Sequence, residues 1–306
     1  MSVKAGIGKK MIALANGIVD VVILVVIFLL LALGGYALWD SKNVYQAADA
    51  AQYEIYKPSE TNQVSFSDLQ AINPDVFAWL TVFGTNINYP VVQGSDNMKY
   101  LKTNAEGQHS LSGSIFLDST CSRDFSDFSS IIHGHHLDQN AMFGEIGLFM
   151  EKSYFDARQY GKLFFDGRER GIEFFAFLHT DAYDGSVYRT KITKEDEQLA
   201  YLEKLSQLAI HTRDVEVTQN DKLVLLSTCC SSTTNGRDIL VGKITDTVPS
   251  DPFYSENKKE KFGVDLLPEL REEIPVFFQI ILILLLFLGI FSLFLLIGYR
   301  LQKRAD

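Results

Sequence analysis

The stretch KLVLLSTCCSSTTNGRDILVGKI, Lys222 to Ile244, sets two apolar runs on either side of a polar loop and ends the first of them in a pair of cysteines. Each run has the length and the branched-residue content of a β-strand. Alternation along the first puts Leu225, Ser227 and Cys229 on one face and Leu226 and Thr228 on the other. The chain has only three cysteines, so two side by side ask for a reason. A bridge between neighbours would be strained, and three thiols cannot all pair within one chain. Cys230 reads as a bystander, or at most as a reversible oxidation partner of Cys229. Cys121, in the polar stretch DSTCSRDFSDF, reads as a loop thiol. Arg237 stands eight residues after Cys229, at the head of the second run.

Six more short runs share this composition: FAWLTVFG, NINYPVVQG, GSIFLD, SSIIHG, KLFFDG and IEFFAFLHTDAY. Most are bounded by Gly, Asn, Asp or Ser, and so many short strands predict a closed or nearly closed barrel. Helical periodicity interrupts them twice. NAMFGEIGLFM puts Met142, Phe143, Ile146 and Phe149 on one face, and TKEDEQLAYLEKLSQLAI does the same for Leu199, Leu202, Leu205 and Ala209. Thr193, with Asp196 three residues on, is expected to cap the second helix. Ahead of the strands, SKNVYQAADAAQYEIYKPS reads as a helix stopped near Pro58. FSDLQAIN reads as a second helix, capped by Ser67 and stopped at Asn73-Pro74. There is no internal repeat and no low-complexity tract.

Two segments are too apolar for a soluble barrel. Val21 to Trp39 and Val276 to Tyr299 carry no charge, and each exceeds or approaches the roughly twenty residues a helix needs to cross a bilayer. Tyr36, Trp39 and Tyr299 suit the interface, and lysines or arginines flank the outer ends (Lys4, Lys9 and Lys10; Arg300, Lys303 and Arg304). The expected organisation is a cytoplasmic N-terminus (1–20), a transmembrane helix (21–39), an extracellular catalytic domain (40–248, helical over 41–74), a stalk (249–275), a second transmembrane helix (276–299) and a cytoplasmic tail (300–306). The first span reads as an uncleaved anchor, because GGYALWDSK offers no clean small-residue cleavage site. The net charge is −10, which argues against a nucleic-acid partner.

Three of the six histidines, His133, His135 and His136, sit where SSIIHGHH leaves its strand, and Gly134 permits a sharp turn there. A thiol, an imidazole and a guanidinium are sufficient parts for acyl transfer. The thiolate attacks a carbonyl, the imidazolium protonates the leaving amine, and the cation steadies the oxyanion. Two other classes compete on residues alone. One is an extracytoplasmic metal-binding membrane protein using HGHH and CC; the other is a surface anchor or adhesin without catalysis.

STC followed by arginine eight positions after the cysteine, with GHH…NAMFGEI, INYPVVQG and SGSIFLD upstream, resembles a class B sortase, and most closely the pilus-polymerising class B-type enzymes of streptococci. The resemblance spans nearly all of residues 41–245. It implies a mainly β fold: an eight-stranded sortase-type β-barrel with N-terminal helices and an inserted helix, here flanked by two transmembrane helices. It implies a transpeptidase in which Cys229 is the nucleophile, His135 the acid/base partner and Arg237 the oxyanion or substrate-positioning group. Ser227 and Thr228 are expected to line the groove. An LPxTG-like sorting signal would be cleaved through a thioester, which an amine resolves, with no cofactor and no metal.

The expected partners are pilin or surface-protein precursors with a C-terminal sorting signal, an acceptor amine (a pilin lysine or a peptidoglycan cross-bridge) and the lipid bilayer. Attachment of surface proteins to peptidoglycan is the runner-up activity. A second, C-terminal span is more like the class C enzymes that build pili. DPF, Asp251 to Phe253, resembles their lid tripeptide but follows the barrel instead of preceding it, and two readings stand: a lid that folds back toward the cysteine, or a simple turn of the kind Asp-Pro starts.

Overall fold

The computed structural model describes residues 2–58, 65–137, 140–229 and 235–254. The expected second span (276–299), the tail, most of the stalk and Cys230 lie outside these residues. The described residues divide into two units, one over residues 2–43 and the other over 44–254.

The first apolar segment is part of one long helix, α1 (Ser2–Ala48). It overruns the expected limits of 21–39 at both ends and takes in the start of SKNVYQAADAAQ. The hydropathy of its most apolar window averages 3.0, and it alone among the described residues is long and apolar enough to cross a membrane. Beyond it the chain tightens into a 3-10 turn, Ala50–Tyr56, started by the Asp49 carboxylate accepting from the Ala51 N–H. This turn is tied to the barrel by Asn88, whose Nδ2 donates to Glu54. Helix α2 (Phe66–Ile72) follows and ends at Asn73, as its Asn-Pro stop requires. Its cap is Ser65 rather than Ser67: the Asp68 carboxylate reaches back to the Ser65 N–H, 2.7 Å away.

All eight anticipated strands form. They are β1 (Val76–Val82), β2 (Asn88–Val92), β3 (Ile115–Leu117), β4 (Ser129–His133), β5 (Tyr160–Phe165), β6 (Arg168–Asp181), β8 (Lys222–Cys229) and β9 (Gly236–Thr245). They hydrogen-bond in the ring β1-β2-β3-β4-β8-β9-β6-β5, and β5 closes it by pairing with β1. A ninth strand, β7 (Ala209–Thr212), lies along β6 outside the ring. Most pairs are antiparallel; β2–β3 and β4–β8 are parallel. The β5–β6 hairpin turns through Asp166 and Gly167, both at positive φ, the geometry of a type I′ turn that Asp-Gly favours.

Alternation sorts the core into two layers. Val224, Leu226 and Leu240 join Leu80, Ile132 and Phe143 in one cluster. Leu223, Leu225, Ile239 and Val241 join Ile131 under helix α4 (Glu195–Leu208) in the other. In α4 the deeply buried residues are Tyr201 and Leu205, while Leu199 is exposed, so the stripe is rotated from the expected one. The N-cap position is Lys194, not Thr193. NAMFGEIGLFM forms a 3-10 helix, Gly144–Met150, and buries Met142, Phe143, Ile146 and Phe149 as anticipated. A short helix, α3 (Lys152–Ala157), follows it.

The DPF tripeptide does not approach the cysteine. The Phe253 ring packs on Gly84, in the β1–β2 turn, where an added Cβ would come within 2.5 Å of it, and Arg158 stacks between Phe253 and Tyr154. Phe83, beside Gly84, donates to Tyr160, which pairs with Glu173 of β6. Arg237 is level with Thr180, seven residues further along that strand and about 23 Å away along it.

Candidate active site

Strand β8 carries an unbroken buried run from Leu223 to Thr228 and then delivers Cys229 to the surface. On one side β9 begins at Gly236, and its register puts Arg237 directly opposite Cys229. On the other side β4 runs parallel, with His133 level with Ser227. Gly134 still donates to the Ser227 carbonyl, at 3.1 Å. His135 and Cys229 are therefore each two residues beyond a paired level on adjacent strands, which lie about 4.8 Å apart. The topology brings the cysteine, histidine and arginine to one end of three neighbouring strands, β4, β8 and β9.

Local packing fixes the histidine. A side chain at Gly134 would meet Ile115 at 2.5 Å, so only glycine lets β4 turn away there. The His135 ring then lies against Gly113, whose φ of 60° favours glycine and whose added Cβ would sit 3.0 Å from His135 Cδ2. His135 Nε2 is 2.8 Å from the Leu101 carbonyl. A carbonyl only accepts, so Nε2 carries a proton and Nδ1 is the nitrogen left to exchange one. Behind the ring, the Phe143 N–H donates to the His135 carbonyl at 3.0 Å.

Arg237 is half-buried; it donates to the Gly236 carbonyl and has no carboxylate partner among the described residues. A guanidinium held without an acid is free to meet an anion or a developing oxyanion. Ser227 is buried, and its hydroxyl shares a 2.8 Å hydrogen bond with Tyr188. Burial raises the Tyr188 phenol pKa, while Ser227 and Arg237 oppose it; the phenol is within electrostatic reach of Cys229 as well as Arg237. Thr228 is buried on the opposite face of β8, 2% exposed. The alternation that offers Cys229 to solvent turns Thr228 inward. Tyr188 is a wall of the site that sequence reading missed; its only signal was an aromatic in the loop after IEFFAFLHTDAY.

The other candidates separate by environment. His133 is held by Asp118 at 3.3 Å and stacks on Tyr188. Burial pushes the Asp118 carboxyl up, but hydrogen bonds from His133 and Thr120 outweigh it and hold the group well below the usual carboxylate range. Cys121 lies in a loop, as expected, but it is buried there, and burial pushes its thiol up to about 12. Among the described residues no group of three or more His, Cys, Asp or Glu could hold a metal ion.

No family model matches the chain. It is 29% identical over 218 residues to sortase B of Listeria monocytogenes, an alignment covering 69% of this chain and 88% of the relative. Among solved structures it is similar to sortase B from the type II pilus of Streptococcus pneumoniae, with 44% identity and a TM-score of 0.53, over 60% of this chain and 99% of that one. It is also similar to a Streptococcus pyogenes class B sortase involved in pilus biogenesis, with 40% identity and a TM-score of 0.54, over 58% of this chain and 97% of that one. The chain belongs to the class B sortase family. The closed eight-stranded ring is the sortase barrel, and sortase homology makes this chain a cysteine transpeptidase.

Proposed function

We propose that this sortase forms its acyl-enzyme on Cys229, with His135 as acid/base partner and Arg237 as oxyanion or substrate-positioning group. What supports the assignment is the strand register, in which an exposed thiol faces an arginine across β9 and stands level with a histidine beyond β4. The Cys229 thiolate attacks the carbonyl of the scissile peptide bond, and Arg237 steadies the charge that develops on oxygen. The His135 imidazolium gives its Nδ1 proton to the departing amine. The same nitrogen then takes a proton from the incoming amine as the thioester is resolved. The Ser227–Tyr188 hydrogen bond stiffens the wall beside the thiol, and Thr228 supports it from behind.

The substrate of this reading is an LPxTG-like sorting signal cleaved after its threonine, and the acceptor is a pilin lysine. Two points favour pilin polymerisation: the pilus origin of the two similar streptococcal structures, and the second apolar segment at 276–299. A helix at each end, both termini cytoplasmic and the catalytic domain outside would hold the enzyme where membrane-anchored precursors arrive. Confinement of both partners to one surface raises their effective concentration. Attachment to a peptidoglycan cross-bridge remains the second reading, since the same thioester serves either amine. The full chain in detergent, given a sorting-signal pilin and a cross-bridge peptide in competition, should build a ladder of covalent pilin oligomers. Single pilin–cross-bridge adducts without a ladder would favour the second reading.

A further inference from the structure

Behind the proposed catalytic residues lies a second polar set made of their immediate neighbours in sequence: Thr228 beside Cys229, His136 beside His135 and Asp238 beside Arg237. Thr228 and Asp238 are cross-strand partners on β8 and β9, on the face of those strands that Leu226 and Leu240 continue into the barrel core. Both are buried, at 2% and 6% exposed. One Asp238 oxygen accepts from His179 Nδ1 at 2.8 Å. The other faces Gly147 on the 3-10 helix Gly144–Met150, 3.3 Å from where a Cβ would stand, and His136 Cε1 is 3.8 Å from the same point. Two atoms of this set, Thr228 Oγ1 and His136 Nδ1, are fully enclosed and have no hydrogen-bond partner among the described residues.

Buried polar atoms in folded proteins are nearly always satisfied, by protein or by ordered water. Glycine at 147 keeps side-chain volume out of the space that Asp238 and His136 both face. A water needs two to four polar partners; an Asp238 oxygen and the His136 ring border one space at Gly147, and Thr228 is the cross-strand neighbour of Asp238. We propose that Thr228, His136 and Asp238 bind a shared buried water, and that this second layer fixes the spacing of Cys229, His135 and Arg237. The three are positioning residues: Thr228 and Asp238 lie on the inward face of β8 and β9, opposite the face of Cys229, the His136 ring borders Gly147, and each acts through its neighbour. The proposal rests on the assignment of the catalytic residues above and adds to it what holds them in register.

A double-mutant cycle on the full-length enzyme tests this, using sorting-signal peptide turnover with Thr228→Val, Asp238→Asn and His136→Phe. Each single change should lower kcat about tenfold with KM changed less than about twofold, as expected when positioning of reacting groups is loosened. Because the water can be lost only once, Thr228→Val combined with Asp238→Asn should cost little more than either alone. Losses that multiply to about a hundredfold would overturn a shared site, and unchanged kcat in all three would overturn the positioning role. A rise in KM alone in Thr228→Val would instead make Thr228 a substrate contact. Cys229→Ala and His135→Ala run alongside: activity retained there sinks the catalytic assignment, whereas activity lost there with intact second-layer variants sinks only this inference. Asp238→Asn keeps the side chain's shape, so the test survives if His136→Phe fails to fold.

Discussion

At the scale of single side chains, burial decides which thiol can react. Cys121 is walled into the core, where the charged thiolate is disfavoured, while Cys229 is exposed opposite Arg237, which has no carboxylate partner among the described residues. Alkylation of the native enzyme should therefore modify Cys229 and spare Cys121. Replacing Arg237 by Lys keeps the charge but loses the planar fork, and should lower kcat by about 10²- to 10³-fold, the range seen when one oxyanion donor is lost; steady-state kinetics with a sorting-signal peptide measure it. His133 gives a stability test separable from chemistry. Asp118 has a folded-state pKa depressed below its unfolded value near 4, so its contribution is present above about pH 4 and lost as the pH falls through the folded value. Asp118→Asn should cost about 1–2 kcal/mol at pH 7 and flatten the acid limb of a urea-unfolding profile. An unchanged acid limb would remove the His133–Asp118 pair from the account.

At the scale of elements, the loop after β4 and the turn after β1 are where glycine matters. A Cβ on Gly144 would fall 2.1 Å from the Leu137 carbonyl, a main-chain atom on the segment that follows His135 and His136. Gly144→Ala should displace that segment, cost about 1–3 kcal/mol as overpacking does, and lower turnover; thermal melts and kinetics read the two separately. Phe253, seated on Gly84 and Arg158, should behave oppositely. Phe253→Ala should speed proteolytic cleavage near residues 249–254 while leaving the alkylation rate of Cys229 unchanged, since the tripeptide docks far along β6 from the thiol. A faster or slower thiol would restore the lid.

The strands were legible because their alternation is local. Leu225 and Leu226 declare two buried faces without any knowledge of the partner strands, and Asp166-Gly167 declares its turn. Ring order, β7 and the cap at Lys194 were not legible, because long-range pairing and packing decide them. The site divides the same way. Cys229, His135 and Arg237 were proposed from the motifs that resemble the family's, whereas Tyr188 enters through its hydrogen bond to Ser227 and Asp238 through cross-strand register.

At the scale of the whole molecule, α1 supplies one helix able to cross a bilayer, and the sequence offers a second apolar segment at 276–299. With an anchor at each end, deleting residues 2–40 alone should leave the enzyme in the membrane fraction. Release should require removal of 276–299 as well, which fractionation and blotting would show. A membrane-impermeant maleimide added to intact cells should label Cys229, because the barrel is expected outside. Labelling only after lysis would reverse the topology.

The most direct measurement is mass spectrometry of the enzyme trapped during turnover of a sorting-signal peptide. The account expects an acyl adduct, labile to hydroxylamine, that fragmentation places on Cys229 and not on Cys121 or Cys230, and that is absent from Cys229→Ala. Turnover without an adduct at Cys229, or undiminished in Cys229→Ala, would contradict it.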